Sequence, residues 1–168
     1  HTAGSVPMSV FQGMALHYGV LYPLQTFSKS RDVNFSNIPC FIETNDDFAY
    51  QTVNGLARSV SQNVRPLNSE QRKYVHLAAV WACNFVNHCY DVAATVLERQ
   101  HIPFEVLLPL IDETAGKVHE LPPCKAQTGP AVRYDENIIR EQAQLMKINP
   151  LEKDLYERLS VSIHQKYK

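Results

Sequence analysis

The sequence predicts a mainly α protein: a helical C-terminal domain with one long central helix, preceded by the last strands of an α/β sheet. Three observations carry this. Apolar residues fall at helical spacing from Asn45 onward. Leu67 to Gln100 reads as one long helix, apolar nearly all round. Before residue 45, two strand-like runs alternate with helix-like or loop segments.

Taken in order, His1-Thr-Ala-Gly-Ser5 resembles the end of a strand and its turn. Val6 to Leu16 is expected to form a short helix. Tyr18-Gly-Val-Leu-Tyr22 reads as a buried strand stopped by Pro23, and Ile38-Pro-Cys-Phe-Ile-Glu43 as another. Two or three strands make no stable sheet alone, so they either join the helical part or belong to a larger sheet lying outside this chain. Phe48, Val53, Leu56, Ala57 and Val60 give Asp46 to Gln62 a helical period. Val64 to Leu67 is a short extended piece. Asn68 and Ser69 suit the cap of the long helix, with Glu70 in its first turn near the positive end of the dipole. Pro103 to Val118 gives a further helix, since proline suits a first turn. Leu121 to Tyr134 is expected to be a loop, holding Pro122, Pro123, Gly129 and Pro130. Asp135 to Lys147 and Pro150 to Tyr167 are two more amphipathic helices.

Composition narrows the function. The 168 residues suit one domain, or one domain plus a fragment of another. A net charge of −1 gives no reason to expect nucleic acid or an anionic membrane as partner. The most apolar stretch, His76 to Val96, is broken by Asn84, Asn87, His88 and Asp91, so no membrane span is expected. Cys40, Cys83, Cys89 and Cys124 form no C-x-x-C pair and are expected to be reduced, in a cytoplasmic protein. No metal site is expected, because His76 and His88 stand about 18 Å apart along a helix.

The long helix carries the chemistry. At about 100° per residue, His76, Asn87, Asp91, Asn84 and His88 fall within an arc of about 120°. Polar groups buried in an apolar helix need partners or a task. Either they bond to one another, to nearby backbone, to water or to a second copy, or they line a cleft. In a cleft, His76 or His88 would move a proton near neutral pH while Asn84 orients a polar group. The second candidate is Gln127-Thr-Gly-Pro-Ala-Val-Arg-Tyr-Asp135, a tight turn in which Thr128 and Arg133 can meet an anionic substrate. The alternative pairs Arg133 with a carboxylate and makes Asp135 a helix cap. Ser5, Tyr22 and Gln25 sit at expected strand ends, where α/β sheets gather ligands. No G-x-G-x-x-G occurs in the chain.

His1-Thr-Ala-Gly-Ser5, Gly19-Val-Leu-Tyr-Pro-Leu-Gln-Thr-Phe27, His76-Leu-Ala-Ala-Val-Trp-Ala-Cys-Asn-Phe-Val-Asn87 and Gln127-Thr-Gly-Pro-Ala-Val-Arg133 together resemble one family. Its members join a Rossmann-like NADP-binding domain to a helical C-terminal domain of unknown function. They are described as NADP-dependent oxidoreductases without a settled activity. They look like distant relatives of pyrroline-5-carboxylate reductase, prephenate dehydrogenase and 6-phosphogluconate dehydrogenase.

The resemblance implies that residues 1–44 are the C-terminal remnant of a truncated Rossmann-like domain, and that 45–168 form an all-helical substrate and dimerisation domain. It implies a homodimer built on the long helix and a small-molecule substrate. Nicotinamide would lie near Ser5, Tyr22 and Pro23, with NADP bound by the intact protein and weakly or not at all by this chain. Similar proteins often read His-Pro where this chain has Tyr22-Pro23, which leaves open whether that turn supplies an acid or base. Dehydrogenases of known chemistry often carry a lysine ahead of an asparagine on the central helix. Here the corresponding positions are Val80 and either His76 or Leu77, and His76 is the expected substitute, assisted by Asn84 and His88. The rival reading is a non-catalytic dimerisation or ligand-sensing module. A metal-dependent hydrolase finds no ligand cluster in the sequence.

Overall fold

Alternating burial makes Gly19–Pro23 a strand, β1, with Val20 and Tyr22 on one face and Leu21 on the other. Cys40–Thr44 forms β2 and pairs with β1 antiparallel, from Gly19 opposite Thr44 to Pro23 opposite Cys40. Val64–Pro66 forms β3, parallel to β2. Parallel neighbours need a crossover, and α1, Asp47–Val60, supplies it. Asp46 caps α1 by accepting a hydrogen bond from the Ala49 amide at 2.8 Å. One face of the sheet packs on α1 through Cys40, Ile42 and Ala57, with Leu21, Val53 and Val64 around them. Gly19 is required where β1 meets β2, since a Cβ there would lie 2.7 Å from the Glu43 carbonyl oxygen. On the far side of β1, the His1 amine donates to the Gly19 carbonyl at 3.1 Å, and the Leu21 amide donates to the His1 carbonyl at 3.0 Å. That is the bonding pattern of a parallel neighbour.

The computed structural model describes all of His1–Lys168. It divides into two compact units, His1–His88 and Cys89–Lys168. The mainly α class with a small three-stranded sheet is as the sequence predicts. The expected boundary at residue 44 falls at the end of β2, while the first compact unit runs on to His88.

Helix α2, Ser69–Ala79, opens with a capping box: the Asn68 side chain accepts from the Gln71 amide, and the Gln71 side chain accepts from the Asn68 amide. Val80–Phe85 then winds as a π turn, and α3, Val86–Glu98, follows. The expectation that this helix is buried fails over Leu77, Trp81 and Phe85, which are 53%, 58% and 45% exposed. Only a stripe along its first turns faces the sheet. Val6 to Leu16 also departs from expectation, giving a single 3-10 turn over Met8–Phe11. Gly13 takes a left-handed φ of 77° two residues after it, and no residue of the turn is buried to hold a helix in place.

In the second unit, Phe104–Leu107 is a 3-10 turn leading into α4, Leu108–Glu120. The expected loop from Leu121 to Tyr134 instead holds two one-turn helices, α5 (Pro123–Ala126) and α6 (Pro130–Arg133). Each starts on a proline, which presets the first helical φ. Gly129 (φ 104°) and Tyr134 (φ 51°) stop α6 at both ends. Tyr134 stacks on His164, ring centres 4.2 Å apart. Helices α7, Glu136–Leu145, and α8, Pro150–Tyr167, follow as predicted. No helix is long and apolar enough to cross a membrane.

Candidate functional site

Ser69, Arg72 and His76 stand three and four residues apart on α2 and share one stripe. They face the sheet surface opposite α1, which carries Tyr22 and Glu43. Arg72 is 1% exposed, and its Nη1 donates to Glu43 Oε2 at 2.6 Å. Nη2 donates to the Val6 carbonyl at 2.7 Å and to Ser69 Oγ at 3.2 Å. Ser69 Oγ donates to the same Glu43 oxygen at 2.7 Å and accepts from the Met8 amide at 2.9 Å. The Val6–Met8 loop is thereby tied to α2. Arg72 Nε is buried without a partner. Burial pushes the Glu43 carboxyl up, but the hydrogen bonds from Ser69 and Arg72 outweigh it and hold the group below the usual carboxylate value.

One turn further along, the Tyr22 hydroxyl lies 3.2 Å from Nδ1 of His76, with the rings edge to face at 6.2 Å. Gly4 covers the pair. A Cβ at Gly4 would lie 2.7 Å from His76 Nδ1 and 2.9 Å from Tyr22 Cζ, so only glycine fits. Burial raises the Tyr22 phenol and the positive charge of Arg72 partly offsets it, leaving it protonated at neutral pH. His76 is half-buried, and its Nε2 makes no hydrogen bond within the chain and is not sealed from solvent. The site can therefore offer one imidazole nitrogen to a ligand while the other is held.

Asn84 and His88 are exposed, and their side chains form no hydrogen bond within the chain. The π turn changes their bearing. It fits an extra residue into one turn, setting later residues back by about 100°. His76, Asn84 and His88 then fall within roughly 40° of one another, while Asn87 turns about 80° away. The five-residue arc predicted from uniform winding is thus corrected to a narrower ridge. Ser5 is exposed, and Pro23 ends β1.

In the second unit, Thr128 and Arg133 are exposed, and Arg133 forms no ion pair. Asp135 is a cap, accepting from the Ile138 amide at 3.3 Å. Two shallow hollows also lie there. One, of about 330 Å³, is lined by Tyr134, Arg140, Glu157 and Ser160, and the other, of about 480 Å³, by Asp91, Glu98, His101 and Phe104. Neither includes a residue expected to bind substrate or cofactor. No His, Cys, Asp and Glu side chains group so as to hold a metal ion.

The profile of a domain of unknown function, DUF2520, matches residues 38–163. The chain belongs to the DUF2520 family. Its fold is similar to the crystal structure of a Bacteroides fragilis protein provisionally named an NADP oxidoreductase, at 53% identity and a TM-score of 0.95, over 98% of this chain and 64% of that one. A Thermotoga maritima protein shares the fold at 21% identity and a TM-score of 0.70, over 99% of this chain and 67% of that one. This DUF2520 chain thus spans somewhat under two thirds of the Bacteroides protein. No curated protein matches it.

Sequence reasoning missed Arg72, Glu43, Ser69 and Gly4 at this DUF2520 site. Arg72 was findable, because it lies one turn before His76 on the same face. Glu43 and Gly4 carried no local signal, since only the pairing of β2 with β1 and the return of the first loop bring them to α2.

The Tyr22 hydroxyl is engaged by His76, and its ring is buried between Gly4 and Phe41. The Ser5 side chain is exposed. Of the three residues expected at the cofactor, Ser5 and Pro23 could border the nicotinamide end of a dinucleotide. They offer nothing for its pyrophosphate, which calls for a glycine-rich turn at a helix N-terminus.

Proposed function

We propose that this chain is the substrate-binding and dimerisation part of an NADP-dependent oxidoreductase acting on a small polar or anionic substrate. The observation that carries the reading is the His76–Tyr22 pair at the carboxyl end of β1, beside the Gly4-Ser5 turn, with His76 Nε2 left for a ligand. The name given to the Bacteroides protein, at 53% identity, supports the cofactor. NADP would supply the hydride. Ser5 and Pro23 would border its nicotinamide, and His76 would hold or move a proton at the substrate's carbonyl or imine. Asn84 and His88 would orient the substrate farther along the ridge.

Calorimetry of the intact protein with NADPH, followed by a turnover screen of small oxo and imino acids, tests this. NADPH binding by the intact protein, weak or no binding by residues 1–168, and a loss of 10²- to 10⁴-fold in kcat for His76→Gln are expected. NADPH binding without turnover of any substrate would favour a non-catalytic sensing module. The exposed row Tyr74, Leu77, Trp81 and Phe85 on the long helix supports that second reading equally, as a seam for a second copy.

A further inference from the structure

We propose that Tyr22 is a positioning residue that fixes the tautomer of His76, so that neutral His76 presents Nε2–H, a donor, to whatever binds beside it. The inference rests on the reading of His76 as the substrate-facing group and narrows its role and the chemistry it meets.

The argument begins with the hydroxyl. Tyr22 is 9% exposed, and its only hydrogen-bond partner within the chain is His76 Nδ1, at 3.2 Å. A phenol has one proton to give, and leaving a buried donor unpaired costs more than an ordinary hydrogen bond contributes. With no other acceptor in reach, Tyr22 donates and Nδ1 accepts. A neutral imidazole that accepts at one nitrogen carries its proton on the other. Gly4 prevents escape from this geometry, because its backbone closes over both rings and leaves no room even for a Cβ. The free nitrogen is therefore an N–H rather than a lone pair.

Two consequences follow for the site. His76 cannot take a proton at Nε2 while neutral; it donates a hydrogen bond there. Its ligand must bring an acceptor, which selects carbonyl and carboxylate oxygens over amines and hydroxyl protons. In the proposed reaction this makes His76 a hydrogen-bond donor that polarises a carbonyl as it is reduced.

Long-range proton–nitrogen NMR spectra of the intact protein, labelled at histidine and recorded without ligand near pH 8.5, read the tautomer directly. His76 should show Nε2 protonated and Nδ1 as the acceptor. In Tyr22→Phe the ring is kept and the donor is lost, so the ratio of the tautomers should shift toward Nδ1–H by roughly three- to ten-fold. Gly4→Ala, which drives a methyl against Nδ1, should shift it the same way. A wild-type spectrum dominated by Nδ1–H, or a ratio unchanged in Tyr22→Phe, overturns the inference. Neither result touches the turnover screen, so failure here is distinct from failure of the oxidoreductase reading.

Discussion

Arg72 and Glu43 form a nearly sealed ion pair, with Nη1 of the guanidinium 2.6 Å from the carboxylate Oε2 and the side chains 1% and 16% exposed. The pair joins α2 to β2, and through the Val6 carbonyl it also holds the loop that carries Gly4 and Ser5. Desolvating two charges offsets much of their attraction, so the pair serves geometry more than net stability. Breaking it is another matter.

Arg72→Met leaves the Glu43 carboxylate largely buried with only Ser69 for company. Urea denaturation should show a loss of about 3–5 kcal/mol, as for other half-removed buried pairs. The double variant Arg72→Met, Glu43→Leu should recover much of that. A double variant no more stable than Arg72→Met would refute this account.

The same carboxylate sets an acid response. Its pKa lies lower in the folded chain than its ordinary value of 4.5, so the stability it contributes is fully present above that value. It is lost as pH falls through the lower folded value. Stability measured from pH 6 to pH 2 should therefore fall less steeply below about pH 4.5 in Glu43→Gln than in the wild type. Parallel curves would assign the acid response elsewhere.

Gly4→Ala requires the first loop or the His76 ring to move, because the added methyl would sit 2.7 Å from Nδ1. A cost of about 1–3 kcal/mol is expected for overpacking of this kind. Ser→Ala at position 5, an exposed residue one step along, should leave thermal stability unchanged and serves as the control. Equal melting temperatures for all three proteins would show that the loop yields freely.

Trp81→Glu tests the exposed row on the long helix. Trp81 and Phe85 pack edge to face at 4.8 Å, yet Trp81 stays 58% exposed. If a second copy covers them, sedimentation should show the intact variant shifted to monomer with its secondary structure unchanged. An unchanged sedimentation coefficient would remove the row from any dimer seam.

Much of this was legible from local pattern. The caps Asn68 and Asp135 stand where short-range rules put them, because each accepts from an amide three residues on, and Pro150 opens α8 because its fixed φ suits a first turn. His76 was legible as a polar group on an apolar helix. Its partner was not, because Tyr22 is 54 residues away and reaches it only through the sheet.

The sequence by itself determined the longer helices, the three short strands and the imidazole as the group to watch, since all follow from spacing and capping along neighbouring residues. Tertiary structure alone decided which nitrogen of His76 is free, that Arg72 is buried, and that the long helix leaves Trp81 in solvent. Those outcomes depend on which side chains from distant segments meet on the face of β1 and β2. The π turn at Val80–Phe85 belongs with them: it resets the helical phase in a way that a uniform 100° step does not foresee.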